Sequence, residues 1–322
     1  MIIGIGLTFF IGIIWMLVAI VYSSCTRDRS SFLLFMVSFY FLYTLIAFIC
    51  PFISQIIPQG FVLMPLKIVS GKELFNLALC IVPAAILGSA GYFTFSIAMS
   101  KGNVSVAWGI MNSSIILPFL FGLLVFKDKI NATILLGMLM IFVALFFMVK
   151  GKQNGATDLK NNKKPEHVKE FIFLSLLSFF LVGMSQICSL LPNKFTILFP
   201  TGKEISIETM AWRVPLTALT GLIVWGVIAV IGKVQITLKQ FKNGMIYAVI
   251  VFISQVLLYL TIDILSKYHL SGVVFPLSMG CCIVLFAVYC VAFRHEKLHL
   301  LEKVGLGILT LGLFIQAFSS IV

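Results

Sequence analysis

Charge is what this sequence has least of, and acid above all. Asp and Glu number 11 in 322 residues, and all charged types together make up 11% of the chain. Soluble globular chains carry about 25%, so this one lacks the polar surface that would hold it in water. Only Asp263 among the acids lies within an apolar run, about three residues from its end, which leaves no cluster of membrane-face carboxylates for a lipid-modifying enzyme. The four histidines (167, 269, 295 and 299) fall in or beside loops, and neither they nor the seven cysteines show metal-ligand spacing. No P-loop pattern occurs, so ATP-driven work would need a separate subunit. The first 22 residues have no basic leader and no small-residue cleavage pattern, so they read as a span.

What fills the chain instead is hydrocarbon. Hydrophobic residues make up 61% of it and mean hydropathy is +1.13. The apolar runs are about 20 residues long, the length of a helical span and not of the short alternating strands of a barrel. An all-α integral membrane protein is expected. The net charge of +12 does not point to nucleic acid, because the 23 Lys and Arg lie mostly between the runs. There they set orientation and meet lipid headgroups. The cysteines, mostly inside the runs, read as small buried hydrophobes.

Spans are expected near 2–22, 31–57, 74–100, 104–126, 131–150, 168–191, 207–232, 243–265, 270–293 and 301–321. The one extended hydrophilic stretch, 150–170, divides them into five and five: a first repeat over 1–150, a linker over 151–167 and a second repeat over 168–322. "MSKGNVSVAWGIMNSS" at 99–114 aligns with "LSKYHLSGVVFPLSMG" at 265–280, sharing Ser-Lys and a following Ser (Ser105 and Ser271). "KDKINATILLGMLMIF" at 127–142 aligns with "HEKLHLLEKVGLGILT" at 295–310, pairing Asp128-Lys129 with Glu296-Lys297 and Gly137 with Gly305. An odd number of spans per repeat sets the two repeats in opposite orientations, so the expectation is ten transmembrane helices as two inverted five-helix repeats. Such repeats recur in transporters, with the solute site at their interface near the midplane. By the positive-inside rule the Lys-rich linker is cytoplasmic and both termini lie outside.

On these paired segments, and on the acid-plus-base turns in "LLVFKDKI" and "VAFRHEKL", the chain resembles the drug/metabolite transporter superfamily, specifically its ten-span EamA type. "LVGMSQICSLLPN" at 181–193 looks like the first helix of a family repeat. "TMAWRVPLTALTGL" at 209–222 looks like the second, with Arg213 where the family often places an Arg. The resemblance covers nearly the whole chain and implies the fold and solute transport, without implying which solute. The first repeat departs most, having no counterpart of Arg213 in 31–57. The related small multidrug resistance proteins use a membrane Glu in their first helix for proton exchange, and this chain has no acid there.

Polar side chains inside the runs are the candidate site. A charge at mid-bilayer costs about 3 kcal/mol by insertion scales, so Arg213 and Asp263 are candidates for gating or coupling. They lie near one mouth, either paired with each other or reaching separately to the headgroups. Asn112, Ser113 and Ser114 interrupt the fourth span, with Trp108 one turn earlier and Ser278 matching Asn112 across the repeats. Tyr92 and Ser96 are four apart on the third span, and Gln255 and Tyr259 four apart on the eighth, where Asp263 continues the stripe. Gln186 sits midway along the sixth. These residues either line a solute pathway or bond helix to helix. Pro118 and Pro276 are candidate hinges. Trp108, Trp212 and Trp225 are better placed to shape a pocket than Trp15.

The leading expectation is a secondary carrier, without cofactor or catalysis, moving an amino acid, metabolite or drug by alternating access in the direction of efflux. Its partners would be a small-molecule solute, the lipid bilayer, and a proton or counter-solute if transport is coupled. A cell (inner) membrane fits the resemblance, and the chain would work as a monomer or homodimer. A sugar or nucleotide-sugar carrier of the same fold is the alternative in the same class. A non-transporting membrane protein and a membrane enzyme are the alternatives outside it.

Overall fold

The computed structural model describes residues 2–25, 29–53, 69–125, 132–158, 168–194, 205–234, 237–266 and 274–319, and every regular element in them is helical. The elements are α1 (Ile2–Cys25), α2 (Arg29–Ile53), α3 (Gly71–Lys101), α4 (Val104–Asn112), α5 (Ile116–Val125), α6 (Ala132–Asp158), α7 (Val168–Leu190), α8 (Arg213–Ile231), α9 (Leu238–Ser266), α10 (Val274–Phe293) and α11 (Leu300–Ser319). Five stretches, in α1, α2, α3, α7 and the region 208–231, are long and apolar enough to cross a bilayer, and shorter apolar helices lie in 104–118, 135–151 and 277–293. The chain is an all-α integral membrane protein.

Three elements differ from the sequence expectation, each for a local reason. The fourth span is not one helix: a 3-10 turn at Ser113–Ile115 separates α4 from α5. Pro118 has no N–H to offer the Ser114 carbonyl and its ring crowds that group, so the α-helical bond to that carbonyl is missing where the 3-10 turn lies. The fifth span overruns its apolar run, with α6 helical through Asp158, well into the hydrophilic stretch. The seventh is interrupted near its start: a single turn at Ile207–Met210 precedes α8, so Arg213 is the first residue of the longer helix, five positions into the apolar stretch 208–231.

Small residues decide which helices touch. Gly137, Ala144 and Gly151 recur every seven residues on α6, and Gly305 and Gly312 do so on α11. A Cβ on Gly312 would lie 3.0 Å from the Gly137 carbonyl oxygen, and one on Gly305 would lie 2.9 Å from that of Ala144. Gly151 meets Glu302 in the same way, so the two helices run antiparallel with their backbones in close approach. On the opposite face of α6, Leu135, Leu139, Phe142 and Phe146 are exposed and form a lipid-facing stripe. Replacing Gly305 by Ala is expected to cost about 1–3 kcal/mol, because the obstruction is backbone and cannot swing aside. Thermal unfolding in detergent checks this: an unchanged midpoint would mean the helices can part freely.

The remaining neighbours follow the same logic. Gly88 and Gly91 of α3 receive Ser185 and Val182 of α7, and the Ser185 hydroxyl donates to the Ala84 carbonyl at 2.7 Å. Gly221 of α8 and Gly232 just beyond its end receive Tyr40 and Leu33 of α2, so these two helices are also antiparallel. α1 packs on α9 and α10, α2 on α8 and α9, α3 on α7 and α8, and α4 and α5 on α7.

The end of the bundle where α6 leaves and α7 enters is its linker end. Polar ties hold it together. Lys101 pairs with Glu170, joining α3 to α7. The Glu296 carboxylate caps α4, accepting from the Val104 N–H (3.0 Å), the Ser105 N–H (3.3 Å) and the Ser105 hydroxyl (2.6 Å). Glu302 is buried, accepts from the His299 N–H at 2.7 Å and from Asn103 Nδ2 at 3.2 Å, and so caps α11 while reaching the turn before α4.

Candidate functional site

A cavity of about 310 Å³ lies in the middle of the bundle, walled by both halves of the chain. From the first half come Trp15, Val18 and Tyr22 of α1, then Met36, Phe39, Tyr40 and Tyr43 of α2. Tyr92 of α3 and Trp108, Met111 and Asn112 of α4 complete that side. The second half supplies Thr217 of α8, Tyr247, Val251, Ser254 and Gln255 of α9, and Met279 of α10. None of these residues is charged.

The cavity has a floor toward the linker end. Tyr22 is fully buried and its ring meets Phe32, Phe35, Tyr92, Phe95, Trp108 and Tyr247 at centroid distances of 5.5–6.4 Å. Its hydroxyl donates to the Tyr92 carbonyl at 2.8 Å, tying α1 to α3. Beneath, Phe32 stands edge-on to Trp225 (5.6 Å), and Trp108 contacts Phe286 (5.3 Å). These rings come from seven different helices, most of them within a few turns of the linker-end terminus. The result is a continuous aromatic layer, stapled from outside by Glu296, Glu302 and the Lys101–Glu170 pair.

Gly221 shapes one wall. A Cβ there would lie 2.1 Å from Cε1 and 2.4 Å from Cδ1 of Tyr40, so only glycine lets that ring lie flat against α8.

Of the residues expected from sequence, Tyr92, Trp108, Asn112 and Gln255 line this cavity. Asn112 donates through Nδ2 to the Trp108 carbonyl at 2.8 Å, which keeps the amide oriented and leaves Oδ1 for the cavity. Ser96, Ser113 and Ser278 do not line it. Each is buried and donates back into its own helix, to the carbonyls of Phe93, Gly109 and Val274, all at 2.7 Å. Gln186 lies on α7, which contributes no described residue to the wall. Arg213 also stands apart: its Nη2 reaches the Met210 sulfur at 3.4 Å, close to the satellite core of Leu77, Cys80 and Ile81. The side chains of Tyr259 and Asp263, with Pro276, lie outside the described residues, as does the Asp128-Lys129 turn.

The tryptophan expectation needs the larger correction. Trp15 lines the cavity, Trp225 sits below it in the aromatic layer, and Trp212 packs against Phe48 (6.3 Å) away from it. Sequence reasoning also passed over Tyr22, Tyr40, Tyr43 and Tyr247. The available signal was uneven placement: tyrosine is much rarer in this chain than phenylalanine, 8 against 31, and its hydroxyl makes it a poor choice for a lipid face.

No family model and no curated protein matches this chain. A solved structure described only as "Crystal structure of protein" aligns over 98% of this chain and 98% of its own, with a TM-score of 0.56 at 13% identity. At that identity the likeness is one of fold, and it extends over the whole length.

Proposed function

We propose that this chain is a secondary carrier built as two inverted five-helix repeats, moving a small organic solute across a cell membrane by alternating access. The observation that carries the reading is the central cavity, walled by both halves of the chain and sealed at the linker end. A site shared by two repeats, closed on one side, is what alternating access requires.

The helix packing supports the repeat plan. Exchanging each span with the one five later turns the α3–α7 contact into α9–α1, the α1–α10 contact into that of α7 with α4 and α5, and the α3–α8 contact into α9–α2. Every one of these pairs is in contact. The self-related pairs, α2 with α8 and α6 with α11, run antiparallel, as an axis in the membrane plane demands. An axis along the membrane normal would leave them parallel. This is also the layout implied by the resemblance to the EamA type.

Flux into proteoliposomes tests the reading, with labelled amino acids, sugars and organic amines as the panel and an Asn112→Leu protein beside the wild type. Saturable flux of at least one class is expected, reduced at least tenfold by the substitution, since leucine removes the amide oxygen from the wall. Saturable flux unaffected by Asn112→Leu would move the pathway elsewhere. A protein that holds solutes but never carries them across would end the carrier reading.

A further inference from the structure

We infer that the solute is an organic cation, a protonated or quaternary amine with a small apolar body, held by aromatic faces and not by a carboxylate. The inference rests on the cavity being the carrier's solute site.

The first argument is what the wall presents. Tyr40, Tyr92, Tyr247, Trp15 and Trp108 bring aromatic rings to one space above the fully buried Tyr22, and the described wall holds no Lys, Arg, Asp or Glu. The face of an aromatic ring carries negative charge density and its edge positive, so a cage of faces attracts cations and repels anions. A nucleotide sugar, an organic phosphate or a carboxylic acid would bring negative charge to such faces with no cation to receive it. Desolvating an unpaired anion there is prohibitive, whereas a bulky, weakly hydrated ammonium loses little by leaving water.

The second argument is the polarity of the polar groups. Asn112 spends one of its two Nδ2–H donors on the Trp108 carbonyl at 2.8 Å, and the amide of this wall residue keeps its Oδ1 acceptor outside that bond. The Tyr22 hydroxyl is spent on the Tyr92 carbonyl at 2.8 Å, and the Ser254 and Thr217 hydroxyls on Val251 (2.7 Å) and Arg213 (2.9 Å) carbonyls. Four donors near the space are thus turned back into the protein. A solute carboxylate needs donors and a countercharge, and finds these four donors turned away and no Lys or Arg among the described wall residues. A solute ammonium needs acceptors and finds Asn112 Oδ1.

The third is size. About 310 Å³ is the low end of small-molecule sites. It admits choline, tetraethylammonium or an arylalkylamine, and excludes dinucleotide-sized solutes.

Equilibrium binding to the purified full-length protein in nanodiscs tests the chemistry without requiring transport. The probes are choline and its uncharged carbon isostere 3,3-dimethylbutan-1-ol, with tetraethylammonium and benzoate as further cation and anion. Choline is expected to bind roughly 30-fold more tightly than the isostere, the ratio that desolvated cation–π attraction supplies. Tyr247→Phe and Tyr92→Phe, which keep the ring faces, are expected to retain that ratio. Tyr247→Leu and Tyr92→Leu should lower it at least fivefold while leaving binding of the isostere nearly unchanged. Equal binding of choline and its isostere, or tighter binding of benzoate than of either cation, would overturn the cation assignment. So would a ratio that survives both leucine substitutions in folded protein. Saturable flux of an uncharged or anionic solute with no binding of cations would sink this assignment and leave the carrier reading standing. Cations that bind with the expected ratio but are never transported would do the reverse.

Discussion

Replacing Tyr22 by Ala is expected to destabilise the protein by about 3 kcal/mol or more and to breach the cavity floor. Tyr22 is fully buried, and its ring meets six others, contributed by α2, α3, α4 and α9. In water a truncation of this kind loses both transfer free energy and dispersion contacts. Inside a bilayer the transfer share is small, because the unfolded reference is also apolar. What remains is the loss of contacts around a cavity the neighbouring rings cannot collapse into, since each is pinned on its own helix. That places the cost at the lower end of the roughly 3–5 kcal/mol seen on aromatic truncation in soluble cores.

The comparison with Tyr22→Phe separates ring from hydroxyl. The phenylalanine protein loses one hydrogen bond to a carbonyl that already serves its own helix, a cost of about 0.5–1.5 kcal/mol. Thermal unfolding in detergent gives the ranking, and iodide quenching of tryptophan fluorescence reports on the breach. Iodide presented only at the linker side of reconstituted protein is expected to be kept from Trp108 while the floor is intact, and to reach it in the Ala protein. Equal stability of the Ala and Phe proteins would show that the ring does not support the floor.

The helices were legible in the sequence because a 20-residue apolar run has few other uses, and the inward polar side chains at Asn112, Tyr92 and Gln255 stood out against it. The serines misled for a definable reason. A hydroxyl can satisfy itself three or four residues back along its own helix, as Ser96, Ser113 and Ser278 do, so its presence at mid-span carries no direction. Asn112 makes the same kind of bond but has a second polar atom left over, and the residue lines the cavity. The tyrosines were missed because an aromatic in an apolar run suits lipid, core and cavity alike. Which of these it meets is fixed by helix rotation, and for Tyr40 that rotation is set by Gly221, 181 positions away. The break at Ala211-Trp212, after which α8 starts at Arg213, was not legible because no composition signal marks it.

The second large effect concerns the staple at the linker end, where two ties of different worth can be told apart. Lys101–Glu170 is exposed, with side chains 26% and 54% accessible, and such pairs contribute about 0–1 kcal/mol. Glu296 is half-buried and accepts three hydrogen bonds at the first turn of α4. Hydrogen bonds to a charged group contribute about 1.5–3 kcal/mol, and a carboxylate at a helix N-terminus gains a further 0.3–1 kcal/mol or so from the helix dipole. Glu296→Ala is therefore expected to cost about 2–3 kcal/mol, and Glu170→Gln less than about 1. The consequence is mechanical as well as energetic. Glu296 comes from the second half of the chain and α4 from the first, and Trp108 and Asn112 lie three and seven residues beyond Ser105 on that helix. Releasing the cap frees the first turns of the cavity wall from the opposite half, at the end where the floor must open if solute is to leave. Glu296→Ala should thus raise iodide access to Trp108 several-fold, while Glu170→Gln leaves it near the wild-type value. A double-mutant cycle with Ser105→Ala isolates the bond itself: a coupling of about 1–2 kcal/mol is expected, since the hydroxyl and carboxylate act as one unit. Strict additivity in that cycle would mean Glu296 holds α4 through its two backbone N–H bonds alone.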